Sequence, residues 1–184
     1  DGDGRADVSM VGSGLDYFIA LGLSVKLDYA HLLGAWDVST GKMLDAFPAF
    51  LEDISFFHTP SIADITGDGL PEVIAGTSGD ILHAVDANGN EPPGWPKQTG
   101  GWMIASPTVG DITGDGFNEV IAVTREGFLF AWSTQGSSEV EPEWGSYRHD
   151  PQNTGNYGSE VDRGLGEGAP RPVIAPRRST PARR

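Results

Sequence analysis

The chain contains 184 residues, carries a net charge of −14 and has no cysteine. The absence of cysteine excludes disulfide bonds and thiolate metal sites, and no stretch contains the ~18 consecutive apolar residues of a membrane span. This length suits one domain, and the 26 glycines and 13 prolines indicate many turns and short strands rather than helices.

The charge is unevenly distributed along the chain. Residues 160–184 contain six arginines and three acidic residues, so this tail carries +3 and the rest of the chain carries −17. Binding to nucleic acid depends on cationic side chains that meet phosphate groups, so an acidic body argues against it. The arginines of the tail are spread among proline, glycine and alanine, a composition that predicts a disordered linker or tail at residues 159–184.

The chain opens within an acidic loop motif that is complete at residues 64–72 and again at 111–119, 47 residues later. Its first eight residues align with residues 66–73, so this copy lacks the first position of the motif. The alignment predicts a C-terminal fragment of a longer protein, with further repeats upstream. It also makes four residues candidate metal ligands by their place in the motif: Asp1, Asp3, Arg5 and Asp7.

Both complete loops place oxygen-bearing side chains at positions 1, 3, 5 and 9 and glycines at positions 4 and 6. Calcium takes about six to eight oxygen ligands, which a short loop can supply from alternate residues, and glycine permits the left-handed conformations that wrap a backbone round an ion. In the first loop the candidate ligands are the side chains of Asp64, Thr66, Asp68 and Glu72 and the carbonyl of Leu70. In the second they are the side chains of Asp111, Thr113, Asp115 and Glu119 and the carbonyl of Phe117.

A simpler interpretation is that each loop is a β-turn, since aspartate and glycine favour turns for backbone reasons alone. A turn needs one aspartate and one glycine, but it does not need an acid at position 9. The loop also differs from an EF-hand, because its last acid stands at position 9 rather than 12 and a strand follows it rather than a helix. We therefore expect a metal site in each loop, and the motif contains no indication of catalysis.

The repeat extends beyond the loops and predicts short strands. Apolar residues follow each loop at once, residues 80–86 match residues 127–133, and each of these runs ends in a turn. A unit of about 47 residues with four strands has the length of a β-propeller blade. We predict an all-β chain of about three blades of four antiparallel strands. The blades cover residues 1–136, as units 1–63, 64–110 and 111–136.

Three further features mark the units and their end. The first unit holds an insertion at about residues 12–30, and aromatics at equivalent places, Phe47 and Trp95, are expected to pack between blades. Residues 137–158 match nothing upstream. Although His149 beside Asp150 suggests a general base, no nucleophile motif accompanies the pair. We expect these residues to form a closing segment that packs on the last blade.

The loops with the pattern D-x-T-G-D-G-x-x-E-V-I, the hairpin Ala84-Val85-Asp86-Ala87-Asn88-Gly89 and the motif Gly94-Trp95-Pro96 resemble FG-GAP/VCBS-type repeats. These are the repeats of integrin-α-like β-propellers, found in many secreted bacterial proteins. The resemblance covers residues 1–158 and implies that the acidic loop positions bind Ca²⁺. Thr66 and Thr113 depart from the family, which often has Asp or Asn there.

The resemblance implies a calcium-binding propeller module of a secreted or cell-surface protein that mediates adhesion or binds an extracellular protein or polysaccharide. One alternative is the propeller part of an extracellular enzyme, such as a polysaccharide lyase, a peptidase or a quinone-dependent dehydrogenase. The segment from Trp36 to Lys42 resembles quinoprotein propeller repeats as well. Another alternative is a purely structural stalk. We expect no nucleic-acid partner and no membrane span.

Overall fold

The computed structural model describes residues 3, 5–13, 31–55, 57–150 and 152–157. These residues form eleven β-strands and contain no helix, so no helix in them is long and apolar enough to cross a membrane. The predicted all-β class is confirmed. The tail from residue 158 and most of the predicted insertion, residues 14–30, lie outside the described residues.

The strands form three antiparallel sheets in chain order. The first sheet contains β1 (Asp7–Ser13), β2 (His31–Asp37), β3 (Lys42–Met43) and β4 (Ala49–Leu51). The second contains β5 (Ser61–Ala63), β6 (Glu72–Gly76), β7 (Ile81–Val85) and β8 (Lys97–Gln98). The third contains β9 (Thr108–Gly110), β10 (Phe117–Val123) and β11 (Leu129–Ser137). Gly12 and Ser13, counted with the insertion above, belong to β1 and pair with Leu32 and His31.

Each acidic loop connects two neighbouring strands of one sheet. Ser61 pairs with Ile74 and Ala63 with Glu72, so β5 before the first loop lies beside β6 after it. The strand β9 has the same relation to β10 across the second loop. The sequence units begin at the loops, whereas the sheets begin three residues earlier, because strand pairing and not the repeat boundary decides which strands share a sheet.

The second sheet is buried on both faces. Along β6, Val73 and Ala75 face one way and pack, with Val85, against Leu33 and Ala35 of the first sheet. The residues of β6 and β7 on the opposite face point to the third sheet. They form a core cluster there, made of Ile74, Leu82 and Ala84 with Val120 and Ala122. Alternation across a pleated strand produces this division. The run of consecutive apolar residues after the loop predicts burial on both faces, and all five residues of β6 are buried.

An aromatic residue lies at each of the two interfaces between sheets. Phe47 is buried in the cluster between the first and second sheets. Trp95, at the equivalent place one unit later, packs on the cluster between the second and third sheets, with its ring 6.5 Å from that of Trp132. Both precede a proline in a cis peptide bond. The expected packing role of these aromatics agrees with their positions.

The segment after β11 contacts two sheets rather than the last one alone. The Trp144 N–H donates to the carbonyl of Ile62 in β5, and the Ile62 N–H donates back, both at 2.9 Å. The Val109 N–H in β9 donates to the carbonyl of Gly145 at 2.7 Å. The segment therefore joins the edge strands of the second and third sheets.

The pair His149 and Asp150 is buried within this segment. Asp150 accepts hydrogen bonds from the N–H and the hydroxyl of Thr154, and Nδ1 of His149 lies 3.2 Å from Asp150 Oδ2. The His149 ring also packs edge-on against Trp144, with 5.1 Å between the ring centroids. These contacts give the pair a structural role in closing the turn.

Two leucines at equivalent positions test this packing. Leu82 is completely buried, whereas Leu129, 47 residues later, is 68% exposed. Leu82→Ala should lower the free energy of unfolding by ~2–5 kcal/mol because it leaves a cavity in the core. Leu129→Ala should change it by ~0.5 kcal/mol or less. Urea denaturation measures both, and equal losses would contradict the exposed position of the third sheet's outer face.

His58 should make stability fall on acidification. Its Nε2 accepts the Gly76 N–H at 3.2 Å, and burial lowers its pKa from 6.5 to about 4. Between these values the unfolded chain binds a proton at His58 that the folded chain does not, so the contribution of His58 to stability is constant above pH ~6.5 and decreases below it. We expect this contribution to fall by about 2 kcal/mol between about pH 7.5 and pH 5.

The matched control is His58→Gln, because a glutamine amide can also accept the Gly76 N–H but does not titrate. Urea denaturation across this pH range should show a difference between wild type and variant that grows as the pH falls. A difference independent of pH would show that His58 is protonated equally in both states.

Candidate metal-binding loops

The carboxylate at position 1 organises each loop by accepting backbone N–H groups. In the first loop Asp64 Oδ1 accepts the N–H groups of Thr66 (3.1 Å) and Gly67 (2.6 Å), and Oδ2 accepts that of Gly69 (2.7 Å). In the second loop Asp111 accepts those of Gly114 (2.6 Å) and Gly116 (2.9 Å). These bonds, that from Gly116 first, lower the pKa of Asp111.

The glycines at positions 4 and 6 are required by the backbone. Gly67 and Gly69 have φ angles of 80° and 84°, and Gly114 and Gly116 have 77° and 92°. Residues with a Cβ rarely adopt this left-handed region. With these φ angles the loop curls round the carboxylate at position 1 so that successive N–H groups point to it.

The carboxylate at position 5 has a smaller part in the turn. Asp68 Oδ1 accepts the Leu70 N–H at 2.8 Å, and Asp115 Oδ1 accepts the Phe117 N–H at 3.0 Å. Each of these bonds closes only two residues. The second carboxylate oxygen at this position is therefore the part of the loop with most acceptor capacity left for a ligand.

The glutamate at position 9 is buried, although it belongs to an acidic loop. Glu72 and Glu119 are each 2% exposed, and each accepts at 3.0 Å the N–H seven residues earlier, that of Ile65 and of Ile112. Burial, with smaller contributions from the charges of Asp64, Asp68 and Asp86, raises the pKa of Glu72 to about 7, against the lowering effect of the bond from Ile65. A buried carboxylate is costly unless it is paired.

Two oxygens at proposed ligand positions are buried without a hydrogen-bond partner. They are Thr66 Oγ1, at position 3 of the first loop, and Glu119 Oε1, at position 9 of the second. A buried polar atom without a partner costs about 1–3 kcal/mol, so such an atom indicates a ligand or an ordered water. The donor set of the loops, oxygen only, fits a hard cation such as calcium.

The acidic side chains do not converge on one point in either loop. In the described part of the chain no group of three or more histidine, aspartate or glutamate side chains is close enough to hold a metal ion. The position-1 carboxylates face the loop N–H groups instead, as the simple turn interpretation predicts. What that interpretation leaves unexplained is the buried glutamate at position 9.

In the partial copy at the start of the chain, a positively charged side chain lies beside the acidic residues. Arg5 donates through its N–H (2.8 Å) and its Nε (2.7 Å) to the carboxylate of Asp3, which lowers the pKa of Asp3. Its guanidinium also lies 3.7 Å from Asp37. Asp7 is in β1 and pairs with Asp37, and Asp1 lies outside the described residues. In this copy a guanidinium neutralises the acid equivalent to Asp68.

Sequence reasoning missed the residues that support the loops from outside. The Ser138 hydroxyl donates to Asp111 Oδ2 at 3.3 Å. The Gln135 N–H donates to the carbonyl of Ile65 at 3.1 Å, and Gly136 approaches the Asp64 carbonyl so closely that an added Cβ would overlap it. The sequence predicts a turn at Gln135-Gly136, but both residues lie within β11, and the packing of the third sheet on the second brings them against the first loop.

Three antiparallel sheets follow one another along the chain, and an equivalent acidic loop links two strands within the second sheet and within the third, an arrangement of the β-propeller-like type. Residues 64–122 match the family model described as FG-GAP-like repeat. Residues 64–122 therefore contain an FG-GAP-like repeat, and the match confirms the resemblance found in the sequence over these residues. A search of curated proteins finds no match.

The contact between Gly136 and Asp64 should make Gly136→Ala destabilising. The added methyl group has to displace the Asp64 carbonyl, which should lower the free energy of unfolding by ~1–3 kcal/mol. The matched control is Gly110→Ala, because nothing lies within 4 Å of a Cβ at Gly110. Urea denaturation in the presence of a chelator measures both, and equal losses would contradict the contact.

Proposed function

We propose that the chain is a calcium-binding β-propeller module of a secreted or cell-surface bacterial protein. The observation that carries the proposal is the buried glutamate at position 9 of both loops, together with the unpartnered oxygen of Glu119 and that of Thr66. A turn alone has no need to bury a carboxylate. A divalent cation in the loop would offset that cost.

The chemistry of the loops favours calcium over other metals. Aspartate, glutamate, threonine and backbone carbonyl oxygens are hard ligands, whereas zinc and copper sites use imidazole or thiolate. Neither loop contains histidine, and the chain has no cysteine. Asp64, Thr66, Asp68, Glu72 and the Leu70 carbonyl would hold one ion. Asp111, Thr113, Asp115, Glu119 and the Phe117 carbonyl would hold the second.

Calcium at these sites would supply stability rather than catalysis. The loop connects two strands of one sheet, and its glutamate lies on the second of them. An ion held by both ends of the loop would fix the two strands relative to each other. At the ~0.1–1 mM affinity of extracellular modules, calcium at its extracellular level would contribute about 0.5–1.5 kcal/mol per site.

We propose that the module serves adhesion, by binding an extracellular protein or a polysaccharide. The sequence resembles FG-GAP/VCBS-type repeats, which occur in many secreted bacterial proteins, and this resemblance supports the proposal. The weak calcium affinity expected here also suits millimolar extracellular calcium. A strongly acidic body also keeps such a module soluble and disfavours nucleic acid.

Calorimetric titration with calcium tests the ion sites one at a time. Wild type should bind two ions in the described loops, whereas Glu72→Gln or Glu119→Gln should remove one each and the double variant both. Glutamine keeps the size of the side chain and can accept the same N–H, so the turn is preserved while the charge is lost. Ser138→Ala, which removes only a hydroxyl donor to Asp111, serves as the control and should retain both ions.

Two results would contradict this assignment. One is calcium binding by the double variant with unchanged stoichiometry, which would place the ions elsewhere. The other is no heat of binding in wild type at millimolar calcium, which would leave the loops as turns.

A further inference from the structure

An imidazole ring and two carboxylates meet at the interface between the first and second sheets. His83 of β7 pairs with Ala75 of β6, which packs against the first sheet, so the ring points to that sheet as well. Its Nδ1 lies 2.6 Å from Glu91 Oε1, and its Nε2 contacts Glu52 Oε2. Glu52 directly follows β4 of the first sheet, whereas Glu91 follows the turn after β7. The ring therefore joins a carboxylate of one sheet to a carboxylate of the next.

This arrangement of atoms fits a protonated ring. An ionised carboxylate only accepts hydrogen bonds, and a neutral imidazole can donate from one of its two nitrogens only. Both nitrogens of His83 face carboxylate oxygens, so the imidazolium alone satisfies both contacts. The two carboxylates lie at different ring nitrogens, whose bonding directions diverge. The three groups are thus placed to share a proton and do not converge on one point where a metal ion could touch them all.

The surroundings favour the charged form of both partners across the interface. Burial lowers the pKa of His83, whose side chain is 11% exposed, but the bonds to the two carboxylates raise it above 6.5 overall. Burial raises the pKa of Glu52, but the bonds from His83 and from the Thr77 hydroxyl lower it overall. A positive ring between two negative carboxylates is therefore the favoured state near neutral pH.

The other titratable groups on the elements packed here are bonded elsewhere. On the neighbouring strand β8, Lys97 pairs with Leu82, which packs toward the third sheet, so the lysine points away from His83. From the first sheet, Asp53 Oδ1 accepts the next backbone N–H at 2.7 Å, and Nδ1 of His31 lies 2.9 Å from a serine hydroxyl. The charges that raise the pKa of His83 are those of its two carboxylate partners.

The interface between the second and third sheets has a different residue at this position. The residue 47 positions after His83 is Phe130. Its ring stacks on that of Trp132, with 5.2 Å between the centroids and 1° between the planes. A phenyl ring has no proton to lose. Of these two equivalent positions, only the one at the first interface can respond to pH.

We propose that His83 is a pH-sensitive link between the first and second sheets, which holds Glu52 and Glu91 while its ring is protonated and releases one of them when the ring loses its proton. The neutral ring has a single donor for two acceptors, and the two carboxylates beside it then repel each other. Because one of these carboxylates belongs to the first sheet, the loss of the proton loosens the contact between the sheets.

The direction of the pH effect follows from the raised pKa. The contribution of the link to stability is fully present below pH ~6.5, the pKa in the unfolded chain, and is lost as the pH rises through the pKa in the folded chain. The effect should be local. Near the link, the Ser78 N–H of the second sheet donates to the Ile54 carbonyl at 2.8 Å, and this bond reports on the contact between the two sheets.

An NMR titration of the His83 ring tests the charges that act on it. In the wild-type chain the ring should titrate with a pKa above ~6.5. Glu52→Gln and Glu91→Gln should each lower this pKa, because each variant removes a negative charge beside the ring but keeps an oxygen that can accept its N–H. The matched control is Asp53→Asn, which removes the same charge from the residue next to Glu52 and should leave the pKa close to that of wild type.

Hydrogen exchange tests whether the link holds the sheets together. Between about pH 6 and pH 8.5 the protection factor of the Ser78 amide, which is corrected for base-catalysed exchange, should fall about threefold or more. The Val109 amide, which donates to the Gly145 carbonyl at 2.7 Å at the third sheet, should keep its protection. In His83→Gln the protection of Ser78 should not depend on pH over this range, because glutamine does not titrate.

Three results would overturn the proposal. The first is a pKa of His83 at or below ~6.5 in the folded chain. The second is a pKa that neither glutamine variant lowers. The third is equal behaviour of the Ser78 and Val109 amides across the pH range, which would assign any pH effect to the whole chain. The link needs no calcium, so both experiments are done in chelator and their outcome is independent of the proposed ion sites.

Discussion

A buried glutamate that accepts the N–H seven residues earlier holds each acidic loop in place. Glu72 and Ile65, and likewise Glu119 and Ile112, join the last position of a loop to its second. Because that glutamate is already part of a buried strand, the loop cannot move without disturbing the sheet. This connection supports the pairing of β5 with β6 and of β9 with β10. The stacking of one sheet on the next depends on these pairs.

The same glutamate motivates the proposal of a cation in each loop. Its burial raises the pKa of Glu72 to about 7, against the lowering effect of the bond from Ile65, and Oε1 of Glu119 is buried without a partner. Gln135 and Gly136 of β11 lie against the first loop, whereas residues 112–117 of the second loop are exposed. An ion would therefore contribute to the stability of two differently supported turns, and the first would be the better shielded from solvent.

The loop and its glycines could be predicted from the sequence, because their geometry is local: positive φ at Gly67 and Gly69 follows from a turn closed within six residues. The class of fold followed from the repeat, and burial of β6 from its consecutive apolar residues. The sheet boundaries could not be predicted, because the sequence does not show whether Ser61–Ala63 pair with the strand before them or with β6 after them. Two further contacts join different units: Gly136 lies against Asp64, and the segment at Trp144 lies between β5 and β9. The sequence of a single repeat unit does not predict such contacts.

We propose that the loops bind calcium and thereby stabilise the sheets. The most direct test is thermal unfolding in about 2 mM calcium and in chelator, for wild type and for the double variant Asp68→Asn/Asp115→Asn. These carboxylates make only one short backbone bond each, so the metal-free stability of the variant should stay close to that of wild type. Calcium should raise the Tm of wild type but not that of the variant. An equal Tm for wild type with calcium and with chelator would contradict it and reduce both loops to turns.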